Sequence, residues 1–280
     1  MHETAPVVIE PALQRARGEG RLAVKSVDGE SRLATLYQDG CAKIRLPWPV
    51  RSAPLEAVLI NTSGGMTGGD RMTWSVEVGQ GAHASVTTQA CERIYRSTGA
   101  EALASTRLDL ADGATLAWVP QETILFDRAR FRRNLQVDMA VDARLLVVEP
   151  LIFGRAAMGE VVEKVDFHDR WRIQCGNRLI HAEDLAFAGS GQAQLDRPAI
   201  AGGHIALASL LLIADDAEQL LEPARDLIGD AGGVSAWTVG GRGKILARLS
   251  AESSLALRKT LMPLLALLNG RAPLPKIWAS

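Results

Sequence analysis

A short pattern recurs three times in the middle of the chain, and this repeat restricts the fold more than any other feature of the sequence. The copies begin at Ser75, Arg107 and Gln136, so their offsets are 32 residues (107 − 75) and 29 residues (136 − 107). Each copy has a segment of alternating apolar and polar residues, a bend ending in Gly-Ala or Asp-Ala, and a second segment rich in small and β-branched residues. Such alternation is typical of a strand with one face on a core, and Gly or Asp at a bend tolerates left-handed backbone geometry. Each copy is therefore predicted to form a pair of strands.

A single strand pair cannot bury its apolar face alone. Repetition at about thirty residues therefore favours strand pairs stacked in a solenoid or β-helix. The alternative is a β-sandwich whose hairpins resemble one another by chance, and in both cases the chain is mainly β. Further strand patterns flank the repeat at residues 21–27, 31–36, 55–61, 160–167, 171–175, 178–187, 235–239 and 244–249.

Two segments in the C-terminal half have helical periodicity instead. Residues 215–228 begin with acidic side chains, which suit a helix N-terminus, and a glycine follows them. Residues 251–268 repeat leucine at helical spacing, and Pro263 within them predicts a kink or an early end. We therefore predict one domain over residues 1–280, an extended solenoid-like stack of strands with two α-helices, in which residues 1–19 are flexible.

The charge balance and the hydropathy pattern exclude several classes of partner. Lys and Arg number 31 against 32 for Asp and Glu, which gives no electrostatic reason to expect nucleic acid or an anionic membrane. The longest apolar run, residues 205–214, is shorter than the ~20 residues that a membrane-spanning helix needs. The first residues carry charges throughout and lack the apolar core of a signal peptide. The sequence thus predicts a cytoplasmic protein.

The chain has no local motif for a tightly bound metal or for catalysis. Cys41, Cys91 and Cys175 are far apart and lack CxxC spacing, which argues against a disulfide framework and a thiolate zinc site. The histidines are too widely spaced for an HxxxH or HxH chelate, which leaves open only a site built from distant histidines. Ser63 and Ser190 lie beside glycines, but neither is in a GxSxG motif. We expect no high-affinity metal site, no tightly bound cofactor and no enzymatic activity.

A glycine-rich segment follows the strand pattern at residues 55–61. Gly64, Gly65, Gly68 and Gly69 precede Asp70 directly, and such a loop could cradle a phosphate with its backbone N–H groups. One hypothesis is therefore a phosphate- or nucleotide-binding enzyme that uses residues 64–70. The spacing matches neither GxGxxG nor GxxxxGK[ST], however, and no helical pattern follows. The structural interpretation is that the glycines permit tight bends and close backbone approach, with Asp70 accepting hydrogen bonds from loop amides.

Acidic residues at the ends of apolar segments form the remaining signal. Glu122, Glu149 and Glu160 each follow an apolar stretch or a bend. Burying an isolated carboxylate costs several kcal/mol, so such groups are normally solvated, paired or bound to a cation. The first interpretation pairs them with arginines, namely Arg130, Arg132, Arg133 or Arg155. In the second interpretation they line a water-filled passage and coordinate a divalent cation weakly, because an ion held by few carboxylates can leave.

Several of these segments resemble the UreD (UreH) family of urease accessory proteins. The similar segments occur in order and reach from about residue 20 to the C-terminus. The resemblance implies an extended β-helical fold with two helices and a protein that is not an enzyme. The segments are NTSGGMTGGD at residues 61–70, VTTQ at 86–89 with IYR at 94–96, PQETI at 120–124, FGR at 153–155 with MGE at 158–160, and LPKIW at 274–278.

The resemblance also implies partners and a cargo. Members of the family bind apo-urease and recruit the accessory protein UreF, which docks the GTPase UreG, in a complex that a two-fold axis would double. The family member is thought to give Ni²⁺ in transit a route to the urease active site, as part of a metallochaperone complex. Carried onto this sequence, the resemblance makes Asp70, Glu149 and Glu183 candidates for that route, with Asp184 an alternative to Glu183. Together with Glu122 and Glu160 from the acidic pattern, they form the set of ion-passage candidates.

Overall fold

The strands of the chain form two sheets that lie face to face, in a computed structural model that describes residues 14–48, 53–270 and 272–279. The strands are numbered β1 to β17 in chain order. The first sheet contains, in spatial order, β14 (Arg178–Gly189), β13 (Val165–Cys175), β11 (Ala129–Met139), β8 (Ala102–Leu110), β5 (Arg71–Val78), β1 (Arg17–Val27) and β2 (Glu30–Gly40). The second contains β16 (Gly232–Val239), β17 (Arg242–Ala251), β15 (Ala206–Ile213), β12 (Arg144–Phe153), β9 (Thr115–Trp118), β6 (His83–Thr88), β4 (Leu55–Asn61) and β3 (Ala42–Arg45). In addition, β10 (Thr123–Leu125) pairs with β12, and β7 (Glu92–Ile94) pairs with β10.

The middle of the chain alternates between the two sheets, and this alternation creates the solenoid. Strands β5, β8, β11 and β13 pair in parallel in the first sheet, while β6, β9 and β12 pair in parallel in the second. In the register, Ser75 lies beside Arg107, and Arg107 lies beside Gln136. The predicted repeat is thus confirmed at its predicted offsets. The two strands of each copy belong to different sheets, so the sandwich of look-alike hairpins is wrong.

Antiparallel strands close the solenoid at both ends. At one end β2 pairs with β1 and β3 pairs with β4. At the other end β14 pairs with β13, while β15, β17 and β16 extend the second sheet from β12. Parallel pairing thus extends one strand beyond the repeat at β1, β4 and β13, and in the second sheet it ends at β12, the last strand of the repeat.

The two predicted helices are present in the C-terminal half. Helix α2 (Leu221–Ile228) follows a 3₁₀ turn at Ala217–Leu220, and helix α3 (Ser254–Leu268) begins after Ser253 accepts a hydrogen bond from the Ala256 amide. A short helix that the sequence analysis did not predict, α1 (Gly191–Leu195), precedes them. Among the described residues, no helix is long and apolar enough to cross a membrane.

Three details of the predicted secondary structure are wrong. Helix α3 does not end early, since it continues from Pro263 to Leu268, where buried leucines on both sides of the proline pack on the sheet and offset its missing N–H group. It also begins after residue 251, which belongs to β17. The strand predicted at residues 160–167 begins only at Val165, after a turn, and it runs on through the strand predicted at 171–175.

At the N-terminus, the segment predicted to be flexible, residues 1–19, lies mostly outside the described residues. Its last three residues form the start of β1. The structure therefore describes an ordered strand from Arg17 onwards.

The core has two parts, which lie on opposite faces of the second sheet. One apolar cluster fills the space between the sheets, and the other lies beneath α2 and α3. Strand β12 contributes to both, since Val147 belongs to the first cluster and Val148 to the second. Because β12 is buried on both faces, the carboxylate of Glu149 is placed in the interior of the protein.

Candidate functional site

Glu149 lies between the two sheets and is bound by groups from both. Only 6% of its surface is exposed. Its Oε1 accepts a hydrogen bond from Trp118 Nε1 at 3.0 Å, and its Oε2 accepts one from Arg133 Nη1. Burial raises the pKa of the Glu149 carboxyl, and the charge of Arg133 offsets part of that effect.

Arg133 is the centre of a buried ion cluster. Besides Glu149, it binds both oxygens of Asp169, with Nε at 3.0 Å from Oδ1 and Nη2 at 2.6 Å from Oδ2. Arg133 Nη1 also donates to Thr123 Oγ1 at 3.1 Å. Trp171 Nε1 donates to Asp169 Oδ2 at 3.1 Å. With two carboxylates and one guanidinium, the cluster has a formal charge of minus one.

A second polar cluster surrounds Glu183 on β14. Glu183 Oε1 lies 3.1 Å from Arg248 Nη2 and accepts a 3.4 Å hydrogen bond from Ser209 Oγ. Its Oε2 lies 3.5 Å from His181 Nε2. Burial opposes ionisation of Glu183, but its contact with His181 and the charge of Arg248 outweigh burial, so its pKa lies below the ordinary value.

Ser209 lies next to both clusters. It lies directly opposite Glu149 where β12 and β15 pair, and residues opposite each other on paired strands point to the same face. Its hydroxyl then reaches across to Glu183 on the other sheet. We refer to the residues of the two clusters and their link as the polar row. They are Glu149, Arg133, Asp169, Ser209, Glu183, His181 and Arg248.

The polar row ends in a cleft between β14 and β17. This cleft has a volume of about 480 Å³, and its lining includes His181, Glu183 and Arg248. Lys244 lies in its wall, where Nζ donates to the Ile180 carbonyl at 2.7 Å and burial lowers the pKa of the amine. Since the side chain of Arg248 is about half exposed, at 49%, the polar row extends from the interior to the surface.

Asp70 lies in the glycine-rich loop, and loop and strand amides occupy its carboxylate. Oδ1 accepts a hydrogen bond from the Ala16 amide and Oδ2 one from the Thr67 amide, both at 2.8 Å. The close approach that the glycines permit is visible at Gly68, where a Cβ atom would lie 2.1 Å from Ser97 Oγ. The segment leads into β5 rather than a helix, so it lacks the helix N-terminus of a phosphate-binding loop.

Glu122 is almost fully buried, with 1% of its surface exposed, and it fastens α3 to the solenoid. Arg258 of α3 donates to it from Nε at 2.6 Å and from Nη2 at 3.0 Å. Ser254 Oγ adds a 3.0 Å hydrogen bond, and Cys91 Sγ donates at 3.3 Å. The arrangement places Glu122 at a helix–solenoid joint.

Glu160 closes a surface turn. Its Oε2 accepts a 2.7 Å hydrogen bond from Arg155 Nε, and its Oε1 accepts one from the Asp127 amide at 3.2 Å. Of the five ion-passage candidates, Glu149 and Glu183 are the two that adjoin Ser209, the first by strand pairing and the second by a hydrogen bond. The other three have separate surroundings.

Arginines pair with the acidic residues, as the first interpretation of the sequence proposed. The Glu149–Arg133 and Glu160–Arg155 pairs were among those it named, whereas Arg258 as the partner of Glu122 was missed. Among the described residues, no group of three or more His, Cys, Asp or Glu side chains is arranged to hold a metal ion. The carboxylates of the polar row are therefore paired with arginines, and none belongs to a chelating group of three or more ligands.

Sequence reasoning missed the roles of Asp169, Ser209, His181 and Arg248 in the polar row. A signal for one of them was present, because β13 alternates buried and exposed positions and Asp169 occupies a buried position between Phe167 and Trp171. A charged residue at an inward position of an alternating strand indicates a buried ion pair. Ser209, by contrast, had no distinguishing signal within its apolar strand.

The comparisons with known proteins agree with this architecture over nearly the whole chain. The family model described as "UreD urease accessory protein" matches residues 16–279. The chain is 54% identical over 267 residues to "Urease accessory protein UreD 1" of Brucella abortus, covering 95% of both chains. It is 52% identical over 269 residues to "Urease accessory protein UreD" of Mesorhizobium japonicum, covering 96% of both. A solenoid of this extent and a match of this length lead to one conclusion: the chain belongs to the UreD family of urease accessory proteins.

Proposed function

We propose that this chain is a non-catalytic scaffold that binds apo-urease, recruits UreF and, through it, the GTPase UreG, and gives Ni²⁺ a passage towards the urease active site. Membership of the UreD family supports a role in urease maturation. The named partners, the passage for Ni²⁺ and a cytoplasmic location are what we propose beyond that role. Nickel is a cargo in this scheme and not a resident cofactor.

The observation that carries the passage is the polar row. Glu149 and Glu183 lie in different sheets, and Ser209, which is opposite Glu149 on the neighbouring strand, donates a hydrogen bond to Glu183. Buried ion pairs are often no more stable than apolar side chains of similar volume, so stability alone does not account for them. A line of carboxylate and hydroxyl oxygens through a core supplies hard ligands along a path, which is what a divalent cation in transit requires.

The ion pairs of the polar row also favour transit of a cation over its storage. Each carboxylate in the row forms an ion pair with an arginine, and the described residues include no chelating group of three or more ligands. A cation that meets one carboxylate at a time is held weakly and can move on. The cleft at Arg248 would be one mouth of the passage, because there the row reaches the surface.

The scaffold is tested by affinity purification of the tagged chain from cells that co-express the apo-urease subunits, UreF and UreG. We expect all of these proteins to be recovered together, and UreG to be lost when UreF is omitted. Recovery of the folded chain without apo-urease or UreF would overturn the scaffold.

A further inference from the structure

Arg133 occupies a position between two carboxylates that no other cation shares in the described structure. Its guanidinium contacts Glu149 Oε2 on one side and both oxygens of Asp169 on the other. The side chain is buried, with 8% of the residue exposed. Its neighbours on β11 at the inward-facing positions, Phe131 and Leu135, are apolar, so Arg133 interrupts an apolar row.

Two tryptophans hold the carboxylates of Glu149 and Asp169 in place, independently of Arg133. Trp118 Nε1 donates to Glu149 Oε1 at 3.0 Å, and Trp171 Nε1 donates to Asp169 Oδ2 at 3.1 Å. Two fixed carboxylates that converge on one point hold a divalent cation more tightly than a single carboxylate does. With the guanidinium present, the formal charge at that point is minus one, and without it the charge would be minus two.

We infer that Arg133 is a specificity-determining residue that keeps the polar row from retaining divalent cations, because its guanidinium fills the position between Glu149 and Asp169. The geometry alone supports the exclusion of cations by Arg133, and the biological reason for that exclusion rests on the proposed passage. A passage that trapped nickel halfway would fail. The guanidinium of Arg133, placed between Glu149 and Asp169, would prevent this by keeping nickel coordination there weak.

Arginine suits this role better than lysine would. A guanidinium remains charged at every physiological pH, and its planar fork matches two carboxylates at once. A buried lysine loses its proton more readily, since burial disfavours the ammonium form. A lysine at this position would therefore vacate the site to a metal ion as the pH rises.

The first experiment uses the full chain with Arg133→Met, purified with a tag that contains no histidine, and equilibrium dialysis against Ni²⁺. We expect the variant to bind one equivalent of Ni²⁺ more than the wild type, with at least a tenfold gain in affinity for that equivalent (about 1.4 kcal/mol). The matched control is the triple variant Arg133→Met, Glu149→Gln, Asp169→Asn, which should lose the added equivalent. A folded Arg133→Met protein with no added equivalent would overturn the inference, as would an added equivalent that survives in the triple variant.

Arg133→Met leaves two buried carboxylates without a cation and could fail to fold. A second variant tests the inference in that case. Arg133→Lys retains a positive charge and therefore a partner for both carboxylates. Nickel binding to it must release the ammonium proton and, at the lower pH, the proton that burial favours on Glu149, so we expect affinity for the added equivalent to rise by several-fold between pH 6.5 and pH 8.5. The wild type is the comparison, because its guanidinium cannot release a proton in this range. A folded Arg133→Lys protein that gains no pH-dependent site would contradict the inference.

Nickel binding in these experiments does not depend on urease, so the inference and the proposed function fail in different ways. If the variants gain the nickel site but the wild-type chain does not support urease activation, the passage is wrong and the role of Arg133 in excluding cations stands. If the wild type supports activation and neither variant gains nickel, the passage stands and this inference is wrong.

Discussion

The hydroxyl of Ser209, on the ten-stranded sheet, donates a 3.4 Å hydrogen bond to the carboxylate of Glu183, on the seven-stranded sheet. This contact crosses the space between the sheets, where His181 and Arg248 also approach Glu183. Ser209 also lies opposite Glu149, so it is a neighbour of two acidic residues that are 34 positions apart (183 − 149) in the sequence.

Replacing Glu149 tests the passage directly. We expect Glu149→Ala to leave folding and complex formation intact and to reduce urease activation several-fold, because Asp169 still pairs with Arg133 while the oxygen ligand on β12 is lost. Activation is measured as urease activity after co-expression at limiting Ni²⁺. The matched control is Glu77→Ala, which removes a carboxylate from the exposed outer face of β5. Wild-type activation by Glu149→Ala would show that the passage does not use Glu149.

The joint between Glu122 and Arg258 should contribute strongly to stability. Truncating one partner of a buried ion pair leaves an uncompensated charge and typically costs about 3–5 kcal/mol. We expect Arg258→Ala to lower the free energy of unfolding by about 3 kcal/mol, because Ser254 and Cys91 still donate to Glu122. Urea denaturation followed by tryptophan fluorescence measures the change.

The control for this joint is an exposed arginine in the neighbouring helix. Arg225 pairs with Glu222 on the surface of α2, where both side chains are more than half exposed, at 52% and 74%. We expect Arg225→Ala to change the free energy of unfolding by less than about 0.5 kcal/mol. Equal losses in the two variants would argue against a special role for the buried pair.

Glu92 should make stability depend on pH. Burial raises the pKa of Glu92 to about 7, while the hydrogen bond from Asn61 acts in the opposite direction. A carboxyl whose pKa is higher in the folded state than in the unfolded state binds more protons when folded. Its contribution to stability is therefore complete below the unfolded pKa of 4.5 and is lost as the pH rises through about 7.

The variant that checks this effect is Glu92→Gln, which keeps an oxygen for Asn61 and cannot ionise. Relative to the wild type, we expect it to gain about 1–3 kcal/mol in free energy of unfolding between pH 5 and pH 8. Chemical denaturation of both proteins at the two pH values measures the difference. A difference that is the same at both pH values would mean that Glu92 titrates normally.

The glycine-rich loop should tolerate no side chain at Gly68. A Cβ atom there would lie 2.1 Å from Ser97 Oγ and 2.2 Å from the carbonyl oxygen of Ala100. Since the second contact is with backbone, relief requires a shift of the chain, and we expect Gly68→Ala to cost about 1–3 kcal/mol. Gly99→Ala is the control, because nothing lies within 4 Å of the Cβ position there. Thermal unfolding of the two variants should differ by several degrees, and equal melting temperatures would contradict this view of the loop.

The sequence by itself determined that the chain is mainly β and favoured a solenoid over a sandwich. Alternation with a period of two identifies inward-facing positions, and repetition at offsets of 32 and 29 residues specifies which positions stack, because parallel coils place corresponding residues side by side. The strand Leu55–Asn61 and helices α2 and α3 were predicted because their hydrophobic patterns are local. The resemblance to the UreD family further identified Glu149 and Glu183 as candidates.

Only the tertiary structure decided which polar groups meet inside the solenoid. Arg133 and Asp169 are separated by 36 residues and lie on neighbouring strands, while Glu149 approaches Arg133 from the opposite sheet. Periodicity shows that such side chains point inward, but it does not show how the two sheets are placed against each other. That placement follows from the packing of many apolar side chains along the whole solenoid, and it brings Ser209 close to Glu183 and separates Asp70, Glu122 and Glu160 from the polar row.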